Sequence, residues 1–167
     1  MNYFELEERF QDADRLINEG QISAAASVLE EILEEAPDFG KAHNHFGWLY
    51  DAKFKNYTKA EEHYRLAIKF SPEYPAAYYN YSYLLSTLRR YEDLERLLDI
   101  AIKVPGISYP TLYNEYALMH EVQGRYPDAI HYFKLYIQNS YDSKMIETAA
   151  ESIRRCERKL ELLGGGQ

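Results

Sequence analysis

Apolar residues recur at spacings of three and four along almost the whole chain, a pattern that predicts amphipathic helices. The pattern itself repeats every 34 to 35 residues. One slot, early in the second helix of each period, holds Ala25, Ala60, Leu94 and Ala129. A small residue also recurs in each preceding helix, at Ala13, Gly47, Ser82 and Ala117. Each period is therefore predicted to be two helices joined by a short turn, and no segment indicates a β-strand.

Large side chains lie beside these small positions, and turns separate one helix from the next. Four residues after the small slot of each second helix come Leu29, Tyr64, Leu98 and Phe133. Gly20 and Gly124 mark two of the turns inside periods. Proline lies between periods, in "EAPDFG", "FSPEYP" and "VPGISYP", where it ends one helix and allows another to begin. The small residues are predicted to lie where two helices cross closely, with the large ones filling the space beside them.

The register of these slots resembles the tetratricopeptide repeat (TPR). The first helix matches in "HNHFGWLY" (residues 43–50), "YNYSYLL" and "YNEYALMH", and the second in "AEEHYRLAIKFSP" (residues 60–72) and "AIHYFKLY". The resemblance covers about residues 7–140, although in the first copy Arg9 and Asp12 occupy slots that should be apolar. It implies an all-α fold, a right-handed α-solenoid of stacked antiparallel helix pairs with a concave inner surface.

We predict a single TPR-like domain over residues 1–163. The repeats fall at about residues 7–39, 40–74, 75–109 and 110–141, followed by a capping helix at 142–163 and a flexible tail at 164–167. The capping helix is expected to begin after a cap at Asp142 or Ser143.

The resemblance implies that the first helix of each repeat lines a groove. The predicted groove residues are Asn44, His45 and Trp48 of the second repeat, Tyr79, Asn80 and Tyr83 of the third, and Asn114, Glu115 and Leu118 of the fourth. The first repeat would add Phe10, Gln11 and Asp14, and Lys41 and Asp51 would lie at the margins.

This lining combines asparagine amides with aromatic rings, a combination suited to a peptide. An asparagine side chain donates and accepts hydrogen bonds at once, and flat rings give contact area at low entropic cost. Trp48 and Tyr83 are the expected anchors, whereas Tyr78 and Tyr81 are assigned to packing between helices. The alternative is that the rings only cover neighbouring helices or hold a segment of the same chain.

Some members of the family grip a C-terminal carboxylate through lysines, an arginine and asparagines. The corresponding positions here hold Asn44, Trp48, Asn80, Thr111 and Glu115. Since no cationic pair is present and Glu115 would repel a carboxylate, a clamp of that kind is not predicted.

The C-terminal helix carries an apolar stripe that includes Ile146, Ile153 and Leu160. The stripe is expected either to cover the last repeat as a cap or to form a seam for self-association, because a three-four stripe is also a coiled-coil pattern. A homo-oligomer is therefore an open alternative.

The chain has 27 acidic and 19 basic residues, a net charge of −8, and is therefore a poor partner for nucleic acid. The acids gather in "LEEILEEAPD" (residues 29–38), interpreted as a solvated helix face. The acidic first twenty residues do not read as a secretory signal, and no apolar run is long enough to span a membrane as a helix. With Cys156 as the only cysteine, a cytoplasmic location is expected.

No catalytic or metal site is predicted. His43 and His45 face opposite ways on one helix, and His43 and His120 occupy packing slots, whereas His63 and His131 are expected to be exposed. Cys156 lies in a helical stripe, and no phosphate loop or nucleophile elbow appears. The sequence thus predicts a cytoplasmic adaptor with no enzyme activity and no cofactor, which binds a protein or peptide partner. The alternatives are a self-associating structural subunit and a small acidic secretion or assembly chaperone.

Overall fold

A computed structural model of the chain describes residues 3–164, which are helical throughout apart from short connections. The helices are α1 (Tyr3–Asn18), α2 (Ile22–Glu35), α3 (Gly40–Trp48), α4 (Tyr57–Phe70), α5 (Pro75–Thr87), α6 (Tyr91–Ala101), α7 (Tyr109–Val122), α8 (Tyr126–Asn139) and α9 (Ser143–Gly164). A π-helical turn, Leu49–Lys53, extends α3 without a break. No strand occurs between residues 3 and 164.

The chain forms two compact units, residues 1–87 and 88–167. The first contains α1 to α5 and the second α6 to α9, so the boundary falls between the two helices of the third predicted repeat. Helix α1 begins at Tyr3, before the predicted start of the first repeat, and α9 includes Gly164. The rest of the predicted tail, residues 165–167, lies outside the described residues, and the single-domain division stays a prediction.

The core of the first unit joins the small and large positions of the repeat pattern. Leu6, Phe10 and Ala13 of α1 pack in one cluster with Leu29 and Ile32 of α2 and with Phe46 and Leu49 near the end of α3. Gly47 lies directly against the ring of Tyr64 on α4, and a Cβ at this position would be 2.5 Å from Cδ1 of that ring. The small residue thus sets how closely α3 and α4 approach.

Glycine ends α1 and α7 in the same way. Gly20 and Gly124 both have φ of 76°, a conformation that residues with a side chain rarely adopt. After α1, Gly20 N–H donates to Ile17 O and Gln21 N–H to Leu16 O, the two hydrogen bonds of a Schellman motif. Such a turn reverses the chain within a few residues, so that the next helix packs antiparallel to the last.

The polar slots of the first repeat have an electrostatic explanation. Arg9 lies on α1 with Glu31 and Glu35 of α2 opposite, and its guanidinium donates to these carboxylates at 2.7 and 2.8 Å. Asp12 pairs on the surface with Arg15 at 3.2 Å. The apolar contacts of α1 come instead from Leu6, Phe10 and Ala13, so the helix packs on its partner despite the departure from the repeat pattern.

The second unit is built around α8. Ala117, Ala129, Phe133 and Tyr136 form a buried cluster with Ala149 and Cys156 of α9. Arg155 on α9 also makes two hydrogen bonds of 2.7 Å to the buried Glu121 carboxylate on α7, and Lys159 adds a third at 3.1 Å. The hydrogen bonds from these donors, of which those from Arg155 have the largest effect, hold the pKa of the Glu121 carboxyl below its usual range. Helix α9 is thus fixed to the unit by both packing and charge, and it is capped by Asp142, whose carboxylate accepts from Met145 N–H at 3.0 Å.

Within the described part of the chain, no helix combines the length and the apolar character needed to cross a membrane.

Candidate functional site

The first unit has a cavity of about 300 Å³ between the faces of α1, α3 and α5, here called the α1–α3–α5 cavity. These are the first helices of the three repeats that contribute to the unit. The cavity is lined by Asp14, Ile17, Asn18, Asn44, His45, Trp48, Tyr74, Ala76 and Asn80. It therefore brings together five of the predicted groove residues, which are Asp14, Asn44, His45, Trp48 and Asn80.

Asn44 and Asn80 join α3 to α5 across this cavity. Asn80 Nδ2 donates to Asn44 Oδ1 at 3.0 Å. The amide nitrogen of Asn44 and the amide oxygen of Asn80 have no side-chain partner among residues 3–164. Asn44 is buried and Asn80 half-buried, which fixes the orientation of both amides.

His45 joins α3 to α1 at the other side of the cavity. Its Nε2 lies 3.1 Å from Oδ1 of Asp14. The ring of Phe10 packs edge-on against the imidazole, with centroids 4.5 Å apart. The sequence predicts Phe10 as a groove residue, but it is buried in the core and acts as the support on which His45 rests.

Aromatic side chains continue this surface along α3 and α5. Trp48 is half-buried, and the ammonium of Lys53 lies 5.2 Å from the centre of its ring. Tyr83, one turn beyond Asn80, is 67% exposed, whereas Tyr79 is half-buried. Tyr78 and Tyr81 are buried as predicted: Tyr78 donates to Pro72 O, and Tyr81 donates to Glu61.

Of the two residues predicted at the groove margins, Asp51 is buried and Lys41 forms an ion pair. Asp51 falls in the π-helical turn, where it is 6% exposed, and burial raises the pKa of its carboxyl. Because the π turn adds a residue to the helical repeat, it rotates later side chains relative to an α-helix, and Asp51 turns inward. Lys41 remains at an edge, where its ammonium pairs with Glu7 at 2.6 Å and lies 5.9 Å from the ring centre of Tyr74.

The second unit has its own cavity of about 540 Å³ between α7, α8 and α9, here called the α7–α9 cavity. Its lining includes Asn114 and Leu118 from the predicted groove, together with Thr111, Met145, Thr148 and Ser152. Leu118 is 40% and Met145 54% exposed, so the cavity has apolar walls that water contacts. Glu115 does not line it; this side chain is half-buried, and burial raises the pKa of its carboxyl.

The stripe of α9 is divided between packing and exposure. Ile153 packs on the core of the second unit and Ile146 is half-buried, so most of the stripe covers α8 as a cap would. Towards the end of the helix, Leu160, Leu162 and Leu163 are 37%, 65% and 72% exposed.

The buried histidines have structural contacts. His43 and His120 are buried as predicted, but the expectation that His63 is exposed is wrong. His43 Nε2 lies 3.0 Å from Pro37 O and must therefore donate, and its Nδ1 lies 3.0 Å from Nδ1 of His63. The half-buried His63 packs among Phe46 and Tyr50, and burial lowers its pKa to about 4. Cys156 is fully buried, which raises the pKa of its thiol.

Several residues of the two cavities follow no signal that the repeat pattern carries. Tyr74 lies in the "SPEYP" turn rather than on a helix face, and Met145 and Thr148 belong to α9, which lies outside the repeats. Asp14, by contrast, was predicted, because it holds the same slot in α1 that Trp48 holds in α3.

Comparison with known proteins agrees with this architecture. Residues 10–76 match the family model described as tetratricopeptide repeat. Similar solved structures include a MamA RS-1 double mutant (TM-score 0.69, 15% identity, covering 93% of this chain and 96% of that one). A thermophilic TPR protein of Thermus thermophilus gives a TM-score of 0.64 at 13% identity, with 89% and 81% covered. The OM64 TPR domain of Arabidopsis gives 0.61 at 19% identity, with 71% and 96% covered. Among curated proteins, none matches the chain.

The chain is therefore an all-helical repeat protein, as predicted. The match to the tetratricopeptide repeat model over residues 10–76 includes most of the first copy, with Asp12 but not Arg9. Proteins built from this repeat generally mediate protein–protein interactions.

Proposed function

We propose that the chain is a non-enzymatic adaptor that binds an extended segment of a partner protein in the α1–α3–α5 cavity. One observation carries the proposal. The Asn80–Asn44 hydrogen bond holds two amides at the cavity wall and leaves the NH₂ group of Asn44 and the amide oxygen of Asn80 without a side-chain partner among the described residues. A peptide group offers the complementary acceptor and donor.

The neighbouring side chains support recognition of a backbone rather than of one particular residue. Trp48 supplies a large ring beside the two amides, and such rings often dominate the energy of an interface. Because Asn44 and Asn80 are already held by each other, little side-chain entropy is lost when a peptide binds them.

Charge selects among the segments that could enter. Asp14 lies at the cavity wall, and the whole chain has a net charge of −8. We expect a neutral or basic segment to bind more tightly than an acidic one, with a difference that shrinks as salt is added.

The α7–α9 cavity of the second unit is proposed to take an apolar side chain. Leu118 and Met145 form exposed apolar walls, and Asn114 and Thr148 add polar groups at the same cavity. For each cavity we expect affinities of about micromolar Kd, because a mobile segment must be ordered on binding.

Peptide selection tests the proposal for the first unit. Peptides are selected from a displayed random library against the full chain, and their binding is followed by the fluorescence of Trp48, the only tryptophan. We expect Asn80→Ala to weaken binding about three- to tenfold, because one hydrogen bond is worth about 0.5–1.5 kcal/mol.

Gln138→Ala is the matched control, because it removes an exposed amide from α8. Equal binding by wild type and Asn80→Ala, with helicity unchanged in both, would place recognition outside this cavity. Tyr83→Ala tests the second predicted anchor; since its ring is 67% exposed, the change should weaken binding without affecting folding.

Location and catalysis are part of the same proposal. We place the adaptor in the cytoplasm, on the basis of its single cysteine, and expect it to act by binding alone. The alternative of a secretion or assembly chaperone stays a prediction.

Self-association through α9 is a second proposal, supported by the exposed Leu160, Leu162 and Leu163 at one end of the helix. A helix end with three exposed leucines can bury them against a second copy. If it does so, light scattering of the wild type will show a dimer at micromolar concentration, and Leu160→Lys with Leu163→Lys will be monomeric. A monomeric wild type rules this out.

A further inference from the structure

The first unit has a second opening that belongs to neither cavity described above. It lies between α2, α3 and α4, has a volume of about 360 Å³, and is called here the α2–α4 pocket. Its lining consists of two acids, three rings and one aliphatic side chain, namely Glu30, Glu34, Phe46, Tyr50, His63 and Leu33.

The three rings form a continuous aromatic wall. Tyr50 and His63 are stacked with centroids 5.4 Å apart, and Phe46 lies 5.3 Å from His63 and 6.3 Å from Tyr50. The angles between their planes are 25°, 31° and 28°, so the rings are close to parallel. At neutral pH His63 is uncharged, because burial lowers its pKa to about 4. The wall is therefore aromatic and carries no positive charge of its own.

The two acids of the pocket, unlike their neighbours on α2, form no ion pair among residues 3–164. Helix α2 carries four glutamates in two pairs, each with a spacing of four. Glu31 and Glu35 are bound to Arg9. Glu30 and Glu34 are exposed and have no ion pair or hydrogen bond among residues 3–164.

We propose that the α2–α4 pocket binds the guanidinium of an arginine side chain presented by a partner protein. A guanidinium is flat, packs against aromatic rings and can bridge two carboxylates. The lining of this pocket supplies both the rings and the two carboxylates. The chain already contains the acidic half of the arrangement, since Arg9 bridges Glu31 and Glu35 with the same residue spacing as Glu30 and Glu34.

One resident cation lies nearby. The ammonium of Lys59 is 5.1 Å from the centre of the Tyr50 ring. It occupies part of the aromatic wall but makes no ion pair with Glu30 or Glu34 within the described residues, so two carboxylates remain for one incoming cation. Lys59→Gln should therefore strengthen binding of a guanidinium.

The test uses N-acetyl-argininamide as the probe and N-acetyl-citrullinamide, its uncharged counterpart, as the control ligand. Both are titrated into the full chain at neutral pH while the NMR signals of Leu33, Tyr50 and His63 are recorded. We expect saturable shifts at these residues with the arginine probe, at roughly millimolar Kd because a small ligand makes few contacts.

Glu30→Gln with Glu34→Gln should weaken the arginine probe about five- to tenfold, as expected for two partly solvated ion pairs. Glu92→Gln with Glu157→Gln is the matched control, because both are exposed acids of the second unit and the change in net charge is the same. Equal binding of citrulline, an equal effect of the control variant, or shifts confined to other residues would each overturn the proposal. Asn80→Ala should leave this binding unchanged, which separates it from the function proposed above.

Discussion

Gly47→Ala is expected to lower the free energy of unfolding by about 1–3 kcal/mol, although alanine normally stabilises a helix by about 1 kcal/mol relative to glycine. The added Cβ would lie 2.5 Å from Cδ1 and Cε1 of Tyr64, which real Cβ atoms do not approach. Tyr64 is fully buried, so its ring cannot move aside without disturbing the contact of α3 with α4. Chemical denaturation of the two proteins measures the difference.

Gly164→Ala, at the last residue of α9, is the control for adding a methyl group where there is room, because nothing lies within 4 Å of that position. It should be neutral. Gly47→Ala combined with Tyr64→Leu should recover part of the loss, since the two changes act on one contact. A Gly47→Ala protein as stable as the wild type would show that the ring has room and that the glycine is not needed for close packing.

Acid should destabilise the first unit through His63 before the carboxylates titrate. In the unfolded chain the His63 side chain has a pKa near 6.5. In the folded protein this pKa is lowered to about 4, mainly by burial and to a smaller extent by His43. Between these pH values the unfolded chain binds more protons than the folded protein. The contribution of His63 to the free energy of unfolding is therefore complete above pH 6.5 and is lost as the pH falls towards 4. The loss should be on the order of 2–3 kcal/mol, at about 1.4 kcal/mol per pH unit.

His63→Gln should flatten this dependence, since an amide can still donate to His43 Nδ1 but does not titrate. His131→Gln is the control, because that residue is exposed. His120 in the second unit also has a lowered pKa, and its effect is common to all three proteins. The same fall in unfolding free energy between pH 7 and pH 4 in wild type and His63→Gln would contradict this account.

The repeat register was predictable because close helix crossings restrict residue size. Ala25, Ala60, Ala117 and Ala129 are fully buried, and the sequence pattern marks each of them. The pattern does not report contacts that break it. Arg9 reads as a defect in the first repeat until Glu31 and Glu35 are seen opposite it.

The candidate sites were predictable only in part, for physical reasons. The helical period places Asn44, Trp48 and Asn80 on one surface, and the structure brings them to one cavity. A π-helical turn shifts that period after Trp48, so Asp51 turns inward. The spacing of residues in an α-helix does not predict this change. The contact of His63 with His43, and the ring wall of the α2–α4 pocket, depend on how three helices pack, which the spacing within one helix does not determine.

The most direct test of the adaptor proposal observes the two asparagine amides while a peptide binds. In a two-dimensional NMR spectrum each side-chain NH₂ group gives its own signals, so those of Asn44 and Asn80 can be followed together with that of Gln138. If a selected peptide binds in the α1–α3–α5 cavity, the signals of Asn44 and Asn80 will shift and saturate with the same Kd as the Trp48 fluorescence, and that of Gln138 will stay in place. Saturation of binding with both asparagine signals unmoved would contradict the proposal.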